Sequence, residues 1–87
     1  MTEYEHRDGN ALGGLLLEAF GREMTDADAC CGNCHRVNQI GGMLLYQSGP
    51  GDVLRCPNCA TVVMVATARP DGTRFYFAQL TWMQPRN

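Results

Sequence analysis

The side chains of this 87-residue chain best suited to chemistry are its thiols. Four of its five cysteines stand in two Cys-x-x-Cys units, Cys31-Gly32-Asn33-Cys34 and Cys56-Pro57-Asn58-Cys59, with 21 residues between Cys34 and Cys56. Metal–sulfur bonds of about 2.3 Å at tetrahedral angles set two sulfurs roughly 3.8 Å apart. Two residues in a tight turn hold two cysteine side chains at that separation, so two such turns supply four corners. The gap between the units exceeds the roughly 15–20 residues usual for four-cysteine sites, a difference that a hairpin loop absorbs. The spacing predicts one structural Zn2+ held by Cys31, Cys34, Cys56 and Cys59.

Local residue choice agrees with that reading. In a turn of this kind backbone N–H groups point at the first sulfur from beyond the second residue, so Pro57, which has no N–H, loses nothing. Pro57 also biases Cys56 toward extended backbone, and Asn58 tolerates the bridge and left-handed regions. The position after each second cysteine favours Gly because it takes φ > 0, yet it holds His35 and Ala60, which predicts slight strain in both turns. Cys30 offers an alternative to Cys31, but three intervening residues forfeit the tight turn, so Cys31 is the expected ligand. Cys30 then reads as a small buried apolar side chain. Its rival role, a reactive thiol, is opposed by Asp26 and Asp28, which disfavour a thiolate. His35 reads as a surface residue over the metal turn, and His6 as part of a loose tail.

Catalysis is not expected. A catalytic zinc keeps an open coordination position and favours His or carboxylate ligands, whereas four thiolates close the shell and leave it with a net charge of about −2. The chain has no nucleophile–base spacing, phosphate-binding glycine loop or His-Glu-x-x-His. Thioredoxin-type chemistry sets a Cys-x-x-Cys at a helix start near a βαβ unit, but Cys56–Cys59 leads into a β-rich run. Cys-Pro-x-Cys also serves iron in rubredoxin-like electron transfer. Such sites pack aromatics around the metal, and Phe75, Phe77 and Trp82 are remote in sequence from the cysteines.

The elements that must position these thiols are short. Residues 8–24 read as an N-terminal amphipathic helix, with Asp8 or Asn10 as its cap. Leu12, Leu15, Leu16, Ala19 and Phe20 cover an arc of roughly 140°, and Gly21 is a natural stop. Gly13 and Gly14 each cost about 1 kcal/mol in a helix, which predicts a close backbone approach there. Beyond residue 34 the periodicity changes to two. Met43–Gln47 and Asp52–Arg55 read as strands around the turn-forming run Ser48-Gly49-Pro50-Gly51. Thr61–Ala68 and Arg74–Trp82 read as a hairpin closed by Arg69-Pro70-Asp71-Gly72. The expected fold is small α+β, antiparallel hairpins of about four strands covered by one helix. The layout expected is one domain over 1–87: a flexible tail over 1–7, the helix over 8–24 and the metal-bearing ribbon over 30–83. Residues 30–87 are too few to rely on a hydrophobic core alone, which makes a metal staple physically useful.

Charge and hydropathy narrow the partners. The net charge is −2, with a net of −5 over residues 1–29 and +3 over 30–87, and every basic residue is Arg. The two halves are expected to neutralise one another. Binding of nucleic acid by bulk charge is disfavoured, although Arg36, Arg55, Arg69 and Arg74 beside Phe75 or Tyr76 keep that alternative open. The favoured partner is a protein or a second copy of the chain, meeting the hairpin face that bears Tyr76 and Trp82. No run of 18 apolar residues exists to span a membrane, and no apolar segment marks a signal peptide. Reduced thiols suit the cytoplasm.

Asp8-Gly9-Asn10-Ala11-Leu12, Cys31 with Cys34, Gly49-Pro50-Gly51 and Arg55-Cys56-Pro57-Asn58-Cys59 together resemble a zinc ribbon. More closely, they resemble an uncharacterised family of short bacterial zinc-ribbon proteins with an Asp-Gly-Asn-Ala-Leu helix start. The resemblance covers most of residues 8–82, with Cys30 and His35 departing from it. It implies the fold and the metal and says nothing of an activity.

Overall fold

Alternating side chains and turn-forming residues shape most of the chain into antiparallel hairpins, described here for residues 7–48 and 51–86 in a computed structural model. Residues 1–6, which include His6 and nearly all of the expected tail, lie outside the described residues, as do Gly49, Pro50 and Asn87. Arg7 belongs to a strand. With Asp8 it forms β1 (Arg7–Asp8), paired with β4 (Leu44–Ser48). β4 pairs with β5 (Gly51–Arg55), β5 with β6 (Val62–Arg69) and β6 with β7 (Gly72–Phe77), giving a five-stranded antiparallel sheet in the order β1-β4-β5-β6-β7. A second sheet has the order β3-β2-β8, built from β2 (Asp28–Cys31), β3 (Val37–Gln39) and β8 (Leu80–Gln84).

The described residues thus hold eight strands, twice the expected number. Arg74–Trp82 is not one strand, and the change falls at Ala78-Gln79. There the Ala78 and Gln79 N–H groups still donate to the Val63 and Val62 carbonyls of β6, at 3.0 and 3.1 Å, while the Gln79 carbonyl accepts from Gly32 N–H at 3.0 Å. The chain leaves one sheet for the other at this corner, so the alternation of Phe75 and Phe77 does not run on to Trp82. Pro70 and Asp71 form the two-residue link between β6 and β7, and Gly72 takes φ 131°.

The helical segment starts where its cap requires it. Asp8 accepts from Asn10 N–H at 3.2 Å, a 3-10 turn covers Gly9–Leu12, and α1 (Gly13–Phe20) follows. Gly21 closes it at φ 73°, its N–H donating to Leu17, so the helix ends short of residue 24. Leu12 and Leu16 are buried, Leu15 is half-buried, and Phe20 meets Phe75 of β7 with ring centroids 5.9 Å apart. The helix therefore covers the face of the five-stranded sheet that carries Phe75. Its core residues Leu45, Leu54 and Met64 come from successive strands in register. A bulge between Leu54 and Arg55 sets Val63 and Met64, consecutive residues, both into that core.

The close backbone approach expected at Gly13 and Gly14 lies elsewhere. A side chain at Gly14 would meet nothing, and one at Gly13 only the Thr25 methyl. The packed glycines are Gly9, against the Ile40 carbonyl, and Gly41, against Asn10 and the Thr25 carbonyl. There Gly9 N–H donates to Met43, tying the helix start to the loop ahead of β4, and Gly41 N–H donates to Thr25, tying that loop to the segment after α1. The expected neutralisation between halves is represented among the described residues by one ion pair, Arg86 with Asp28 at 3.1 Å, both partly open to solvent and so worth little. Among the described residues no helix is long and apolar enough to cross a membrane.

Candidate metal centre

Each cysteine pair is the turn of a hairpin, and the two hairpins belong to different sheets. Cys31 ends β2 and Cys34 lies in the turn before β3; Cys56 follows β5 and Cys59 lies in the turn before β6. In both turns the backbone is folded alike. Asn33 N–H points at the Cys31 sulfur at 3.3 Å and Asn58 N–H at the Cys56 sulfur at 3.4 Å. His35 N–H donates to the Cys31 carbonyl at 2.9 Å and Ala60 N–H to the Cys56 carbonyl at 2.8 Å. Closing the turns this way requires a left-handed residue after each second cysteine. His35 and Ala60 both sit at φ 65°, the strain that their positions in the sequence predict.

The four sulfurs of Cys31, Cys34, Cys56 and Cys59 all lie within 4.8 Å of one another. Across the turns, Cys31 and Cys59 are 3.7 Å apart, as are Cys34 and Cys56. A tetrahedron of metal–sulfur bonds of about 2.3 Å has edges of roughly 3.8 Å, so the four thiols fit a single four-coordinate ion without rearrangement. Cys31 and Cys56 are fully buried, while Cys34 and Cys59 form the half-exposed side.

Polar groups around the cage treat its thiols unequally. The Cys59 thiol is drawn down to about 6, first by the Asn33 side-chain amide, then by the Thr61 N–H and the Cys31 and Cys34 thiols, against the opposing pull of burial. At Cys34 the Arg36 N–H acts downward, but burial and the Cys56, Cys59 and Cys31 thiols prevail and push it up to about 11. One corner thus forms a thiolate readily and its neighbour does not. Hydrogen bonds that favour thiolate are what a metal ligand needs.

Two supporting groups escaped the sequence reading. The Asn33 amide reaches across to the Cys59 sulfur at 3.4 Å, joining the turns through a side chain. Its signal was available, because Asn stands at the third position of both units. The Arg55 guanidinium donates to the Ala60 carbonyl at 2.7 Å and lies 5.9 Å from the centre of the Tyr46 ring, bracing the second turn from the strand that enters it. Nothing in its spacing announces this.

Cys30 lies outside the cluster. It is 7% exposed and faces Val37 and Trp82, its partners across β3 and β8, which accounts for its burial as an apolar side chain. His35 is exposed and is not part of the cluster. Trp82 and Tyr76, read as neighbours on one hairpin face, belong to different sheets.

The signature of DUF6510, a family of unknown function, matches residues 2–87, and the chain belongs to that family. No curated protein and no solved structure matches it.

Proposed function

For this member of a family of unknown function we propose a non-enzymatic role: a zinc-ribbon protein in which one Zn2+, held by Cys31, Cys34, Cys56 and Cys59, fastens two sheets into an interaction module. The observation that carries this reading is the convergence of four sulfurs from two hairpin turns that belong to separate sheets. An ion bound there links the two sheets, each of which contributes one pair of thiols. Structural zinc contributes an apparent ~10–16 kcal/mol in small peptides near neutral pH, enough to dominate the stability of a domain this thin.

Four thiolates leave no position for water or substrate, which favours a structural over a catalytic ion. Zinc is preferred to iron because Tyr76, Phe77 and Trp82 are solvent-exposed rather than gathered as a shell around a redox centre. Thiols kept reduced for a metal fit a cytoplasmic address. The test is removal of the ion from the full chain by a strong chelator, followed by near-ultraviolet circular dichroism. Loss of the aromatic signal, regained on adding one equivalent of Zn2+, is expected. An unchanged signal after complete removal would show that the ion fastens nothing.

A further inference from the structure

We infer that the outer face of the five-stranded sheet is a platform for a single-stranded nucleic acid. The strand register assembles it. Tyr46 on β4 pairs with Val53 on β5, Val53 with Val65 on β6, and Val65 with Tyr76 on β7, so these four side chains form one row across the sheet. Strands about 4.8 Å apart place the two tyrosines roughly 14 Å from each other, with two valines as an apolar floor between them. None of the four belongs to the buried core, which α1 closes on the opposite face. Tyr76 is 68% exposed, the most open of the large apolar side chains among the described residues.

Arginines flank this row. Arg74 pairs with Thr67 in the next row on one side, and Arg69 extends the same edge at the hairpin tip. Arg55 lies in the next row on the other side, opposite Leu44, its guanidinium 5.9 Å from the centre of the Tyr46 ring. An exposed aromatic ring is a surface on which a base stacks, and the exposed Arg69 and Arg74 are phosphate contacts, whereas Arg55 is held by the Ala60 carbonyl at 2.7 Å. Carboxylates are kept to the border. Asp8 at the β1 edge is engaged by Asn10 N–H, Asp71 sits in the turn, and Asp52 pairs with Gln47 and Ala66 in a row of the covered face. Among the described residues the remaining acids lie on other elements, Glu18 on α1, Glu23 and Asp26 in the loop after it and Asp28 on β2. The face is therefore basic and aromatic although the chain is acidic. Four antiparallel strands presenting aromatics on an open face match a mode in which two or three splayed bases stack on a sheet.

The inference goes beyond the proposed structural role and is independent of which metal the cage holds. Its test uses the folded, metal-loaded full chain and fluorescence anisotropy with roughly 12-nucleotide labelled oligo(dT) and oligo(U), beside a duplex of equal length. Saturable single-strand binding is expected, with the preferred strand distinguishing RNA from DNA. Tyr76→Ala should weaken it roughly 5- to 150-fold and Tyr76→Phe should retain it. Arg74→Gln should reduce the salt slope by about 0.7. Trp82→Ala, on the other sheet, should change nothing, and metal content should stay constant throughout. Three results would overturn the inference. One is no saturable binding at about 50 mM salt. Another is tighter binding of the duplex, or affinity indifferent to both Tyr76→Ala and Arg74→Gln. The third is self-association abolished by Tyr76→Ala without oligonucleotide binding, which would assign the face to a second copy.

Discussion

Replacing Ala60 by Gly should strengthen the metal centre, although glycine weakens most positions it enters. Ala60 is exposed and sits at φ 65°. Its contributions to the turn are backbone ones: its N–H donates to the Cys56 carbonyl at 2.8 Å, and its own carbonyl accepts from Arg55 at 2.7 Å. Glycine keeps both. It relieves a left-handed L-residue, worth about 1–2 kcal/mol, and loses about 0.4–1 kcal/mol to the freer unfolded chain. The difference, about 0.5–1 kcal/mol in favour of the folded turn, appears as metal affinity because binding and folding are coupled, which amounts to roughly two- to fivefold tighter Zn2+. His35→Gly should act in the same direction for the same reason. Competition titration against a chromophoric chelator at fixed pH reads the change. If Ala60→Gly instead weakens Zn2+ binding, the left-handed backbone is not a source of strain and the geometry of the second turn has been misjudged.

The glycines near the helix should separate in opposite directions. Gly9→Ala drives a methyl into the Ile40 carbonyl and should destabilise by about 1–3 kcal/mol or more. Gly14→Ala meets nothing and should stabilise by up to about 1 kcal/mol; urea unfolding of the metal-loaded chain compares the two. Metal affinity should also fall on acidification, because protons compete for the sulfurs. Near neutral pH the ion must displace the proton of Cys34, whose thiol is pushed up to about 11, whereas Cys59, drawn down to about 6, is already a thiolate. As pH drops through about 6 Cys59 takes up its proton as well, so the slope of affinity against pH should steepen there. Zn2+ titrations from about pH 5 to 8 check this, and a slope that flattens below 6 would contradict the assignment.

The cysteine cluster was legible because its chemistry is local. Two residues between sulfurs dictate a turn, and the turn dictates a left-handed residue at His35 and Ala60, which is where the backbone takes φ 65°. The Asp8 cap, the Gly21 stop and the Pro70-Asp71 link are local for the same reason. What was not legible depends on distant partners. β2 shows no alternation, since Ala29, Cys30 and Cys31 are consecutive and all buried, so its four residues offer no period to read. The corner at Ala78-Gln79 is set by the turn at Gly32 and the start of β6, neither of them neighbours in sequence. Gly13 and Gly14 looked like the packed glycines because they interrupt a helix. Gly9 and Gly41 are packed because two loops cross there. Net charge was the least informative guide, since Arg69 and Arg74 stand on β6 and β7 while Glu18, Glu23, Asp26 and Asp28 stand on α1, the loop after it and β2.

X-ray absorption at the metal edge, on protein purified from its own cells without added metal, tests the proposed centre most directly. One zinc per chain surrounded by four sulfurs at about 2.3 Å is the expected spectrum. Iron in place of zinc, nitrogen or oxygen neighbours in place of a sulfur, or a chain that carries no metal would contradict the assignment of Cys31, Cys34, Cys56 and Cys59 as a closed structural zinc site.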